Sequence, residues 1–224
     1  MPKKPQVQAV LFDLDGTLAD TAPDMADALN ILLSKHNMPP VDYELARKHT
    51  SRGSAALIQL GFEELSNDIH REELRKEYLQ TYANNLCIKT ELFSGVIELL
   101  ETLDEKGISW GVVTNKPGFL TEPLLKKLGI TERTECVVSG DSLVNRKPHP
   151  DPLHHAAKLL NVNEINTIYV GDDPRDIQAG QAASMHTAIA AYGYIPDNQD
   201  IDSWGADLII QQPLEIKEWL FTCS

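Results

Sequence analysis

The chain has 224 residues, 42% of them hydrophobic and 24% charged, with a formal net charge of −13. That composition is ordinary for a globular protein with one buried core, or a core beside a smaller partner. The acidic balance argues against nonspecific nucleic-acid binding, which needs a basic footprint, and no apolar run is long enough to span a bilayer.

An anionic substrate stays open, because local Lys, Arg and metal decide its binding once salt screens distant charges over about 8 Å. The basic start, Met-Pro-Lys-Lys-Pro, reaches Asp13 before any apolar region of signal-peptide length. Cys87, Cys136 and Cys223 are scattered and lack CxxC spacing, which disfavours a disulfide scaffold or a thiolate zinc site. The expected compartment is therefore reducing, the cytoplasm.

Val7–Phe12 is almost continuously apolar, as a parallel strand buried on both faces should be. Asp13-Leu14-Asp15-Gly16-Thr17 follows. Strand alternation would aim Asp13 and Asp15 the same way and Leu14 the other, and Gly16 permits a sharp turn. Residues 21–91 then read as mostly helical. Met25, Ala28, Leu29 and Leu32 mark one helix face, Pro39-Pro40 breaks the chain, and Glu64–Leu86 is rich in helix formers. Val96, Leu99, Leu100 and Leu103 define another helix, stopped near Gly107.

Strands and helices alternate from there. Strands are expected at Trp110–Thr114, Cys136–Val138, Thr167–Val170, Thr187–Ala191 and Asp207–Ile210. Helices are expected at Glu122–Leu128, Asp151–Leu160 and Ile177–Ala183. This is the pattern of βαβ units, hence an α/β fold with a parallel sheet covered on both faces. The helical block interrupts the alternation, so residues 1–20 and 92–224 are expected to form the core and residues 21–91 an inserted domain.

Open parallel sheets bind ligands beyond the carboxyl ends of their strands. The first strand delivers Asp13 and Asp15 there, the second Thr114-Asn115-Lys116, and the fourth Gly171-Asp172-Asp173 with Asp176 beyond. Lys147 lies in a proline-rich loop after the third strand. Singly, each has a plain alternative: an acidic turn, a helix cap, a surface lysine. Their joint arrival at one edge carries the argument. Two adjacent carboxylates can hold a divalent cation and divide labour, one as nucleophile and one as acid or base. No G-x-x-x-x-G-K-[ST] loop is present, which speaks against a P-loop nucleotide hydrolase.

FDLDGTLAD, VVTNK, RKPHPDP and VGDDPRD resemble, in order, the four motifs of the haloacid dehalogenase superfamily of phosphohydrolases. The resemblance spans the chain and implies a Rossmann-like parallel-sheet core with an inserted helical cap, and Mg²⁺ as cofactor. It implies that Asp13 attacks phosphorus to form an aspartyl-phosphate and that Asp15 serves as acid, then base. It assigns the metal to Asp13, Asp15 (through its backbone carbonyl) and Asp172, with Asp173 or Asp176 also reaching it. Thr114 would bind phosphate oxygens and Lys147 would offset the negative charge.

Asn115 and Lys116 close the second motif and are candidate substrate contacts. So is Arg52, between helices of the inserted block, because arginine suits anion recognition. The implied substrate is a small phosphorylated metabolite. Within the superfamily the chain is most similar to the phosphoglycolate phosphatases. Trp110–Pro117 and the tail Tyr192–Ile195 through Trp204–Asp207 are closest to the branch acting on N-acetylmuramic acid 6-phosphate. A phosphosugar mutase and a non-catalytic regulatory protein that keeps the fold are the alternatives. Thr17 favours the hydrolase over the mutase, and the intact motif residues oppose the non-catalytic reading.

Overall fold

The computed structural model describes residues 7–62, 68–134 and 136–221. In chain order it runs β1 (Ala9–Phe12), β2 (Ala19–Asp20), α1 (Ala22–Lys35), α2 (Tyr43–Arg47), α3 (Gly53–Gly61), α4 (Asp68–Asn84) and β3 (Glu91–Leu92). It continues with α5 (Val96–Glu105), β4 (Ser109–Val113), α6 (Gly118–Lys127), β5 (Val137–Val138), α7 (Asp151–Leu159) and β6 (Thr167–Gly171). The last elements are α8 (Pro174–Ala182), β7 (His186–Ala190), β8 (Leu208–Ile210) and α9 (Glu215–Phe221).

Six strands make one parallel sheet in the order β5-β4-β1-β6-β7-β8. Alternate residues of β1 serve opposite layers, as the strand's two-residue period requires. Val10 and Phe12 pack with Leu99, Leu100 and Leu103 of α5 and Ile216 of α9. Leu11 packs with Leu153 and Ala156 of α7 and Ala179 of α8. The chain leaves β1 toward β4 and leaves β6 toward β7, so the boundary between β1 and β6 is the switch point where open α/β sheets place ligands.

Between the short strands β2 and β3, the chain forms α1 to α4. The two crossings run antiparallel, Asp20 opposite Glu91 and Ala19 opposite Leu92. Met25, Ala28, Leu29 and Leu32 are buried as their spacing predicts, against Leu57, Leu74 and Tyr78. This apolar layer is continuous with that of the sheet. Asp24 sits 2% exposed within the block. Its carboxylate accepts the N–H groups of Ile88, Lys89 and Thr90 and the Thr90 hydroxyl at 2.6–3.0 Å. Those bonds tie the start of α1 to the segment returning toward β3 and satisfy a charge that burial would otherwise penalise.

Some expected boundaries move. The first strand starts at Ala9 rather than Val7, and α6 starts four residues earlier than expected, at Gly118. Its N-terminal N–H is capped from a distance, Gly118 donating to Asp141 Oδ1 at 2.8 Å, a partner no local pattern reveals. The start of the expected helix at Glu64 lies outside the described residues. Among the described residues, no helix is long and apolar enough to cross a membrane.

Candidate active site

Phe12 ends β1, but the ladder reaches one residue further, the Asp13 N–H donating to Val170 O at 2.8 Å. The chain then turns, with the N–H groups of Leu18 and Ala19 donating to Leu14 O at 3.1 and 2.9 Å. Asp13 and Asp15 are therefore placed by a turn rather than by continued strand alternation, which corrects the expectation. Gly16 has φ +82°, and a Cβ there would overlap the Asp172 carboxylate. Only glycine lets the turn lie this close to Asp172.

Lys147 is 4% exposed and its ammonium is the hub of the site. It lies 2.9 Å from Asp13 Oδ1 and 2.7 Å from Asp176 Oδ1. It also donates to Val113 O at 3.1 Å and to Tyr169 Oη at 2.7 Å. Tyr169, fully buried in β6, brings its hydroxyl within 2.8 Å of Val113 O and 3.2 Å of Asp176 Oδ1. Asp172 Oδ2 accepts the Ser51 hydroxyl at 2.6 Å and the Tyr194 N–H at 2.8 Å.

Asp172 Oδ1 and Asp13 Oδ1 are buried without a hydrogen bond, the nearby Lys147 ammonium meeting Asp13 at ion-pair distance but not in hydrogen-bond geometry. Oxygens of Asp13, Asp172 and Asp176 lie within 4.8 Å of one another. Convergent all-oxygen donors, two of which carry a buried oxygen without a hydrogen bond, fit a hard divalent cation, and this triad could hold one.

The electrostatics agree with that fit. Burial pushes the Asp13 carboxyl up to about 6, against the pull of Lys147 and with the push of Asp176 and Asp15. Burial also holds Asp172 well above the usual carboxylate range, reinforced by Asp13 and Asp176. For Lys147, burial opposes the charged form, yet the two carboxylates raise it above the ordinary lysine value. The directions are compatible: the lysine faces two anions, whereas each acid faces burial and further acids. One ammonium pairs with two of three convergent buried carboxylates, and a bound cation would relieve the imbalance.

The remaining expected residues fall into two groups. Asp15 Oδ1 accepts the Thr21 hydroxyl at 2.6 Å and the Lys116 ammonium at 2.8 Å. Lys116 is buried, 3.2 Å from Tyr82 Oη and 4.6 Å above that ring, so it is an anchored partner of Asp15. The Thr114 N–H donates to Val138 O at 2.9 Å, and its hydroxyl accepts the Lys116 N–H at 3.2 Å. Asn115 donates to Lys147 O at 3.0 Å and leaves Oδ1 buried without a partner.

Asp173, expected as a metal ligand, is not among the three convergent carboxylates. Its carboxylate caps α8 and pairs with Arg175, at 2.9 Å to the Arg175 N–H and 2.7 Å to Nε. Asp176 supplies the third convergent carboxylate, while its Oδ2 accepts the Asp173 N–H at 3.1 Å in a reciprocal capping box.

These groups open into a cavity of about 440 Å³. The sheet edge contributes Asp13, Asp15, Thr114, Asn115, Lys147 and Asp176, and the helical block contributes Arg52, Ser54, Arg75, Tyr78, Leu79 and Tyr82. Arg52 is exposed at the rim. Sequence reasoning missed Ser51, Tyr169, Arg175 and Tyr194 as site residues. Arg175 Nη2 donates to Ser51 O at 2.8 Å, so Ser51 is held from both sides. A tyrosine in a fully buried strand was itself a signal, since a buried hydroxyl needs a partner.

Residues 10–190 match the family described as haloacid dehalogenase-like hydrolase, and the chain belongs to that family. Within it, the chain is a phosphatase, a phosphoric monoester hydrolase. It is 39% identical to an N-acetylmuramic acid 6-phosphate phosphatase of Pseudomonas putida, over 95% of this chain and 96% of that one. It is 42% identical to a phosphoglycolate phosphatase of Xanthomonas campestris, over 94% and 95% of the two chains. A crystal structure of a predicted phosphoglycolate phosphatase from Haemophilus somnus superposes with a TM-score of 0.86 at 28% identity, covering 95% of this chain and 97% of that one.

Proposed function

We propose that this protein is a Mg²⁺-dependent phosphomonoesterase that works through an aspartyl-phosphate on Asp13. Its proposed substrate is a small carboxylated phosphate ester, 2-phosphoglycolate or N-acetylmuramic acid 6-phosphate. One observation carries the reading. A buried nucleophile candidate, Asp13, stands at the switch point beside a lysine and two further convergent carboxylates, at the floor of a cavity.

Asp13, Asp172 and Asp176 would hold Mg²⁺, with the Asp15 backbone carbonyl as a further ligand. When bound, the ion supplies charge neutralisation for the phosphoryl oxygens and keeps Asp13 ionised at neutral pH. Lys147 then contributes a second fixed positive charge at the reacting centre, in place before substrate arrives. The Asp13 carboxylate attacks phosphorus and the ester oxygen leaves with a proton from Asp15. Asp15 then takes a proton from the water that hydrolyses the intermediate. The Lys116 ammonium and Thr21 hydroxyl orient Asp15 for both transfers. Thr114 and Asn115 offer polar groups to the phosphate.

In this reading residues 21–91 act as a cap over residues 1–20 and 92–224, and Ser51 is where the cap meets the core. The cap excludes water from the intermediate until hydrolysis. A cytoplasmic setting would suit such a metabolite. The test is phosphate release from a panel of esters ranked by kcat/KM, with 2-phosphoglycolate and N-acetylmuramic acid 6-phosphate at the top. Release from none of them, with Mg²⁺ present, would overturn the proposal.

A further inference from the structure

The cavity's cationic side chains are mostly committed. Lys116 pairs with Asp15, Lys147 with Asp13 and Asp176, and Arg175 with Asp173. Arg52 and Arg146 are exposed at its edge. Arg75 is ion-paired too, with Glu72, but unlike Arg175 it stands on the helical wall of the cavity. It rises from α4 into the cavity, and its fork is fixed at two points. Nε donates to Ser54 Oγ of α3 at 3.1 Å, and Nη1 lies 3.2 and 3.4 Å from the two Glu72 oxygens. Nη2 has no partner among the described residues, and the Ser54 hydroxyl, accepting from Nε, keeps its own proton to donate. Two donors are thus set side by side on the helical wall. Leu79, half-buried on the same helix, gives that wall apolar surface, with Tyr78 and Tyr82 buried beside it.

We infer that Arg75, with Ser54, is the specificity-determining pair that reads the substrate's carboxylate, and that the neighbouring Leu79 side chain meets the body of the substrate. This deepens the proposed function and rests on it. A planar guanidinium already immobilised by two bonds loses little freedom when it grips an anion, which is why the braced arginine outranks the loose ones. Glu72 sits on the far contact of the fork and offsets its charge; its carboxylate oxygens can also accept a substrate hydroxyl.

The experiment uses matched esters on the full-length enzyme with Mg²⁺. One pair is N-acetylmuramic acid 6-phosphate and N-acetylglucosamine 6-phosphate, the same sugar without the lactyl acid. The other is 2-phosphoglycolate and 2-hydroxyethyl phosphate, with p-nitrophenyl phosphate as a generic ester. Wild type should favour the carboxylated member of at least one pair. Arg75→Gln should reduce that preference ten- to hundredfold, mostly through KM, with the esters that lack a carboxylate within about twofold. Arg75→Lys should recover only part of it, because it restores charge without the fork, and Ser54→Ala should lose a smaller share. A uniform loss on all esters would make Arg75 a structural brace and overturn the inference, as would an unchanged preference. A wild type that hydrolyses p-nitrophenyl phosphate with no preference for carboxylated esters would overturn it too and leave the phosphatase standing. Release from no ester would overturn the phosphatase proposal itself.

Discussion

Replacing Asp13 by Asn should make the metal-free protein more stable while destroying its activity. The folded Asp13 carboxyl is pushed up to about 6 from an ordinary value of 3.8, chiefly by burial. Each unit of that rise corresponds to about 1.4 kcal/mol, so ionised Asp13 opposes folding by about 3 kcal/mol at pH 7.5. Asparagine has the shape of the protonated acid and removes this opposition, and Asp176 remains to pair with Lys147.

The sign of the pH dependence follows. Because the folded value is the higher one, the destabilisation is complete above pH 6 and fades as the pH falls toward 3.8. At pH 4.5 the advantage of Asp13→Asn should shrink to about 1 kcal/mol. For a chain of this length, about 3 kcal/mol corresponds to a Tm rise of roughly 6–12 °C. Urea unfolding of both proteins in chelator, at pH 7.5 and 4.5, gives the comparison. Added Mg²⁺ at pH 7.5 should stabilise wild type more than the variant, which lacks one ligand. A variant less stable than wild type without metal, or a gap that widens on acidification, would refute the reasoning.

Three further outcomes are expected. Asp15→Asn should slow phosphate release by a hundredfold or more and accumulate protein carrying one phosphoryl group, which intact-mass spectrometry of acid-quenched samples detects; no such adduct would count against a proton-carrying role for Asp15. Chelator should abolish activity, Mg²⁺ should restore it, and Ca²⁺ should restore little, since a larger ion with more ligands disturbs in-line attack. Full activity after metal removal would contradict the assignment. Cys136 is buried and its thiol is pushed up to about 12 by burial, so it should resist alkylation at pH 8 in the native protein and react after unfolding, as peptide mass spectrometry would report.

The fold was legible where a local pattern and the tertiary environment ask for the same residues. Runs such as Trp110–Val113 and Ile168–Val170 are apolar because both faces of the sheet are covered, and a polar residue, Thr114 or Asp172, follows where each strand ends. The gathering of the candidate site was legible for the same reason: Asp13, Thr114 and Asp172 follow strand ends, and topology brings strand ends together. Asp173 and Asp176 tested that logic harder. Both follow the same strand, and the choice between them turns on where α8 begins. Pro174 sets that start, leaving Asp173 as the cap and Asp176 one turn on, facing Lys147. Asp-Pro-Arg-Asp was a readable capping box, and reading it would have separated the cap from the carboxylate that joins the cluster.

What stayed hidden is contact between segments distant in sequence. Ser51 reaches Asp172 across 121 positions, and Lys116 meets Tyr82 across 34. Neither pairing has a local signature, because each depends on how α1, α3 and α4 pack over the sheet. The same physics separates the reaction from its substrate. Strand ends fix the chemistry, so relatives named for phosphoglycolate and for N-acetylmuramic acid 6-phosphate can share it at 42% and 39% identity. The cavity wall opposite is assembled from Ser54 on one helix and Arg75 on another, and a shift of either helix along the other would unmake their contact without disturbing the motifs. Substrate choice therefore belongs to helix packing, and it can change in evolution while Asp13, Lys147 and Asp172 stay where the sheet puts them.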